Sequence, residues 1–146
     1  VLPSRGGEPL TSGSGWRRAV VDRIVGDTPG QRVLIVEEDA VIGRAAAAIL
    51  MRRCGCSVEV VSALRDGVAR AREWRPTIVV VDLPAGSREG IEIVACLALI
   101  ECAPAPRLVV CCDDSGPMVP NAALLLAKPC RVGSLVNAVR TTALMG

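Results

Sequence analysis

Histidine, phenylalanine and tyrosine are absent from all 146 residues, and the two tryptophans, Trp16 and Trp74, are the only aromatic side chains. Without histidine there is no imidazole base, no histidine metal ligand and no phosphohistidine within this chain. With so few rings the core must be built from Val, Leu, Ile and Ala. A net charge of +2 on dispersed basic residues, with almost no aromatics, does not indicate a nucleic-acid surface. No apolar run approaches the roughly 18 residues of a membrane span. No secretory leader is expected from the first residues given, which are polar and glycine-rich. Histidine and rings are scarce, but cysteine is not: there are seven, an odd number, several inside apolar helix or strand patterns. Thiols in a reducing compartment are therefore expected rather than a disulfide framework, and the cytoplasm is the expected location.

What is present is one domain's worth of chain with 51% hydrophobic residues. Residues 1–30, rich in Gly, Ser, Pro and Arg, read as a flexible N-terminal linker or extension. Within them Trp16–Val25 has the spacing of a short helix, so a docking segment or the remnant of an upstream domain is the competing reading. From Gln31 onward, strand and helix patterns alternate. Strands are expected at Arg32–Val36, Val58–Val61, Thr77–Val81, Leu108–Cys111 and Ala122–Ala127. Helices are expected at Ala40–Arg53, from Leu64 to the Pro76 break, at Gly90–Glu101 and at Val132–Leu144. Asp39 is a candidate N-cap and Gly55 a stop. Ile42, Ala45, Ala46 and Ile49 form the expected inward stripe of the first helix. Between strands four and five, Gly116, Pro117 and Pro120 leave a shortened or missing fourth helix. Strands that are apolar throughout are buried on both faces, so the fold class is α/β: a doubly wound five-stranded parallel sheet covered by helices.

Three of these strands end by delivering charge. Val33–Val36 runs into Glu37-Glu38-Asp39, Thr77–Val81 into Asp82, and Ala122–Ala127 into Lys128. In doubly wound sheets the site lies beyond the carboxyl ends of the strands. Crowded carboxylates repel one another, and a hard divalent cation such as Mg²⁺ relieves the repulsion. Asp82 is then a candidate nucleophile towards phosphorus, and Lys128 a counter-charge for the transferred oxygens.

Val33-Leu-Ile-Val-Glu-Glu-Asp39, Val79-Val-Val-Asp-Leu83 followed by Gly90, Arg107-Leu-Val-Val-Cys111 and Lys128-Pro129 carry a family likeness. From Gln31 to its end the chain resembles the receiver domain of two-component response regulators. The resemblance implies a receiver over 31–146 with strand order 2-1-3-4-5 in the flavodoxin-like (βα)₅ fold. It implies Asp82 as phosphoacceptor, Lys128 as site lysine, Glu37 and Glu38 as the metal-binding acids, and the backbone carbonyl of Pro84 as a further ligand of Mg²⁺ (or Mn²⁺). It also implies a histidine kinase or histidine phosphotransfer protein as phosphodonor, with no nucleic-acid or membrane partner. The domain would be no enzyme in its own right, beyond the phosphoryl transfer to itself. With one helix after Lys128, a stand-alone receiver or the last receiver of a hybrid kinase is expected.

The departures from the family pattern are as informative. Glu38 stands where aspartate is usual. Cys111 occupies the switch position of a hydroxyl residue, and Leu125 that of an aromatic ring. Gly86 sits where proline is usual, with Pro84 earlier in the loop. They leave a second reading open: a degenerate receiver that binds partners without phosphorylation.

Two other classes are disfavoured. A haloacid-dehalogenase-type phosphatase would want a second aspartate where Pro84 lies, and a dinucleotide fold a glycine-rich turn where Glu37-Glu38-Asp39 lies. Cys54-Gly-Cys56 and Cys111-Cys112 lack the spacing of a zinc site, but they keep a redox role in view. Ser87-Arg88-Glu89 reads as a loop over the site.

Overall fold

The computed structural model describes residues 30–84, 86–101, 105–113, 124–128 and 130–144. In chain order they form β1 (Arg32–Val36), α1 (Ala40–Cys54), β2 (Ser57–Val61), α2 (Leu64–Trp74), β3 (Ile78–Asp82), α3 (Arg88–Ala98), β4 (Arg107–Cys112), β5 (Leu124–Ala127) and α4 (Val132–Leu144). The five strands are all parallel, in the order β2-β1-β3-β4-β5. The expected docking segment in 16–25 and the expected loss of a helix between β4 and β5 fall on residues outside those described.

The strand sequences explain the layering. Side chains alternate across a strand, so an unbroken Val/Leu/Ile run feeds two cores at once. Leu34, Val36, Val79, Val81, Leu108 and Val110 join Leu64, Ile93, Val94 and Leu97 in a core under α2 and α3. Val33, Ile35, Ile78, Val80, Val109 and Cys111 join Ala47, Leu50, Val136 and Val139 in a second core under α1 and α4. Each fully buried aliphatic side chain contributes about 1.5–3 kcal/mol. Only β1, β3 and β4 are buried on both faces. The edge strands β2 and β5 are partly exposed, with Leu125 at 53%.

Local chemistry sets the helix ends. Asp39 Oδ1 accepts from the amides of Val41 (2.9 Å) and Ile42 (3.1 Å), capping α1, and Gly55 closes it at φ 69° with its amide on the Met51 carbonyl. The expected stripe is only half buried: Ala46 and Ile49 pack against the core from its rim, Ile42 is 55% exposed and Ala45 is exposed, and Gly43, Ala47, Leu50 and Cys54 form the buried face. Small residues won because the helix lies close to the sheet. A Cβ on Gly43 would meet Val60 Cγ1 at 2.7 Å.

Helix α3 begins before the expected Gly90. Ser87 Oγ accepts from the Gly90 amide at 2.9 Å, so Ser87 is the N-cap and Arg88-Glu89 the first turn rather than a loop. The helix ends at Ala98, three residues early.

Candidate functional site

Parallel strands send all their carboxyl ends to one edge of the sheet. There β1 delivers Glu37, β3 ends on Asp82, and β5 is followed by Lys128. Backbone bonds fix each position. The Glu37 amide donates to the Val61 carbonyl (3.0 Å), the Leu83 amide to Cys111 (2.8 Å), and the Lys128 amide to Cys112 (3.0 Å). Asp82 pairs in register with Cys111.

These anchors bring Lys128 Nζ to 2.9 Å from Asp82 Oδ1, and its ammonium also donates to the Leu83 carbonyl at 2.9 Å. The two side chains keep 25% and 31% of their surface exposed. Burial works to lower the Lys128 pKa, but its bond and charge contact with Asp82, helped by Asp113, outweigh it and raise the pKa. The carboxyl of Glu37 is raised by burial first and then by the neighbouring Asp82, against the Asp39 amide that donates to Glu37 Oε2 at 3.1 Å. Burial pushes the Cys111 thiol well up, and Cys130 and Asp82 push the same way.

The remaining expected site residues lie further out. Glu38 is exposed, and Asp39 spends its carboxylate on the α1 cap. Pro84 is half-buried, and its carbonyl accepts from the Ser87 amide at 3.1 Å. Among the described residues no three acids or thiols converge on one metal position. Glu37 and Asp82 still fit a hard cation. Burial and mutual repulsion raise the Glu37 carboxyl, and a cation would stabilise both groups as carboxylates. The rest of an octahedral shell would come from water and backbone carbonyls.

Glu37, Asp82, Cys111 and Lys128 also line one cavity of about 430 Å³ between α1, α4 and the sheet. Its apolar wall is Ile42, Ala45, Ala46 and Ile49, faced by Val132 and Leu135. The helical stripe expected from the sequence thus lines this cavity, with Ala46 and Ile49 also packed against the core. Cys130 lines it too. The sequence pattern did not single Cys130 out, because its place on this cavity has no local signature.

Solved structures share this architecture. A response regulator receiver domain from Clostridium thermocellum superposes with a TM-score of 0.67 at 17% identity, covering 79% of this chain and 95% of that one. The chemotaxis response regulator CheY4 of Vibrio cholerae gives 0.65 at 19% identity, over 77% and 98%. A signal receiver domain from Bermanella marisrubri gives 0.65 at 21% identity, over 76% and 96%. No protein-family model and no curated protein sequence matches the chain. The chain therefore has the fold of receiver domains: five parallel strands in the order 2-1-3-4-5, wound with helices on both faces.

Proposed function

We propose that residues 31–146 form a two-component receiver that accepts a phosphoryl group on Asp82, with residues 1–30 as a linker. The observation that carries this reading is the convergence of Asp82, Glu37 and Lys128 at the carboxyl edge of a receiver fold.

An Asp82 oxygen would attack phosphorus in line with the leaving group. Lys128, already within 2.9 Å of that carboxylate, would follow the charge onto the phosphoryl oxygens. Glu37 and Asp82 would hold Mg²⁺ or Mn²⁺, with the Pro84 carbonyl and Glu38 as outer candidates. The cation would supply charge neutralisation between the acids and the incoming phosphate. A histidine kinase or histidine phosphotransfer protein in the cytoplasm is the phosphodonor that a receiver fold suggests. The transfer is to the protein itself, so the domain is a signalling module rather than an enzyme with turnover.

The switch is altered. Cys111 is a weak hydrogen-bond donor where a hydroxyl would meet the phosphoryl group, and Leu125 offers no ring to rotate. Glu38 is exposed, so it would reach the cation only from the outside of the site. These features favour the second reading, a receiver that binds partners without phosphorylation.

Incubation with Mg²⁺ and a small-molecule phosphodonor, followed by intact-mass measurement, separates the two. The acceptor reading expects one phosphoryl adduct that Asp82→Asn abolishes. Absence of both the adduct and measurable Mg²⁺ binding leaves the phosphorylation-independent module.

A further inference from the structure

Helices α1 and α4 are tied at their C-terminal ends, where Arg140 Nη2 donates to the Arg53 carbonyl at 2.8 Å. The cavity of about 430 Å³ lies towards their other ends, beside Asp82. Its volume follows from the sequence of α1. Ala45 and Ala46 offer only methyl groups between the branched chains of Ile42 and Ile49, and Val132 and Leu135 form the opposite wall. Protein interiors seldom leave voids larger than a water molecule. An apolar wall with a few polar groups at one end, in a volume of roughly 300–1,000 Å³, is the form of a small-molecule site.

The polar end is unequal in charge. Glu37 and Asp82 stand there against Lys128, whose ammonium is spent on Asp82 Oδ1 and the Leu83 carbonyl. Asp113 adds a further negative charge towards Lys128. Glu37 is half-buried, and its carboxylate accepts from the Asp39 amide at 3.1 Å. Among the described residues no lysine or arginine forms an ion pair with it. Arg131 also lines the cavity, but it is exposed, where water and salt screen its charge. The inner end therefore lacks one positive charge next to an apolar volume.

We propose that this cavity binds a small apolar amine, with the hydrocarbon body between α1 and α4 and the ammonium on the Glu37 carboxylate. A neutral ligand of the same shape gains the burial but leaves Glu37 unmatched. An anionic one brings a third negative charge to Glu37 and Asp82. Binding itself needs no phosphoryl chemistry. Its consequence for signalling rests on the proposed function, in which Glu37 and Asp82 hold the divalent cation. The ammonium and the cation then exclude each other, and a bound amine slows labelling of Asp82.

The test is calorimetric titration of the whole chain, free of divalent cations, with phenylbutylamine, phenylbutanol and phenylbutyrate. The three share a body and differ in the head. The amine should bind at least about tenfold tighter than the alcohol, and the carboxylate more weakly than either. Glu37→Gln should bring the amine down to the alcohol and leave the alcohol unchanged. Ala45→Phe and Ala46→Phe fill the cavity and should abolish binding of both. Ala45 is exposed, so its substitution leaves the core intact, and circular dichroism checks the fold of each variant. Methyl resonances of Ile42, Ile49, Val132 and Leu135 should shift on titration. No binding of the amine, equal affinity for the three heads, binding that survives both filling variants, or shifts centred on other methyls overturns the proposal. Repeating the amine titration in Mg²⁺ is the second readout. Weaker amine binding in Mg²⁺ supports a shared site on Glu37 and Asp82. Amine binding that Mg²⁺ leaves unchanged supports the ammonium site and counts against these acids as the metal ligands.

Discussion

Lys128 Nζ lies 2.9 Å from Asp82 Oδ1 and 2.9 Å from the Leu83 carbonyl oxygen, so one ammonium ties β5 to the end of β3. Asp82 is thereby neutralised by a fixed cation before any metal or phosphate arrives. Lys128 is both the group that would stabilise a phosphoryl product and a competitor of the divalent cation that would assist its formation.

Lys128→Met keeps the length of the side chain and removes the charge. Titration with Mg²⁺ should show tighter binding by several-fold, because Asp82 loses its internal counter-ion. Labelling by a small phosphodonor should fall by at least about tenfold, because the transferred oxygens lose theirs. Weaker Mg²⁺ binding in the variant would mean that Lys128 holds the site open rather than competing for it.

A pH effect is expected at the far end of α1. Cys54 is fully buried, and the hydrogen bond from the Cys56 thiol, opposed by burial and assisted by Arg140 and Arg53, lowers its pKa from 9.0 to about 7. The folded value lies below the unfolded one. Between them the unfolded chain binds more protons, so stability should rise with pH across that window and be lost as pH falls through the folded value. Urea midpoints should show Cys54→Ala losing this rise. Its deficit relative to the parent should be larger by on the order of 1 kcal/mol near pH 9 than near pH 6. A deficit that does not change with pH would show that the thiol titrates normally.

Helix α4 buries one hydroxyl without using it. Thr142 Oγ1 has no hydrogen-bond partner among the described residues, and the residue is fully buried. Thr142→Val replaces the hydroxyl with a methyl of similar volume. It should stabilise the domain by about 1 kcal/mol, seen as a thermal midpoint higher by a few degrees. A lower midpoint would place a water or a further polar group at this hydroxyl.

The central strands were legible because burial on both faces leaves no polar alternation. Val33–Val36 and Ile78–Val81 are apolar without interruption, and the charges that follow them mark the site edge. The face of α1 was legible only in part, in Ala46 and Ile49. Ile42, Ala45, Ala46 and Ile49 have the right helical period, but Gly43 and Ala47 decide the packing by letting the helix close on Val60. The start of α3 could have been found, since Ser87 followed by Glu89 in the first turn has the form of a helix N-terminus. Strand alternation could have separated Cys111 from Cys112, but the place of Cys130 on the same cavity as Cys111 belongs to the tertiary structure alone. Among the acids, the sequence marks Asp39 as a helix cap, which its bonds to Val41 and Ile42 bear out, but it does not separate Glu37 from Glu38. The exposure of Glu38 and the coupling of the half-buried Glu37 to Asp82 make that choice.

The most direct measurement of the central claim is chemical trapping of the acyl phosphate. Borohydride reduces an aspartyl phosphate to homoserine, which sequencing by tandem mass spectrometry locates at single-residue resolution. After incubation with a small phosphodonor and Mg²⁺, homoserine should appear at position 82 and nowhere else, and it should vanish when the metal is chelated. Unmodified aspartate at position 82 under these conditions, in a protein whose fold is intact, would contradict the assignment of Asp82 as the acceptor.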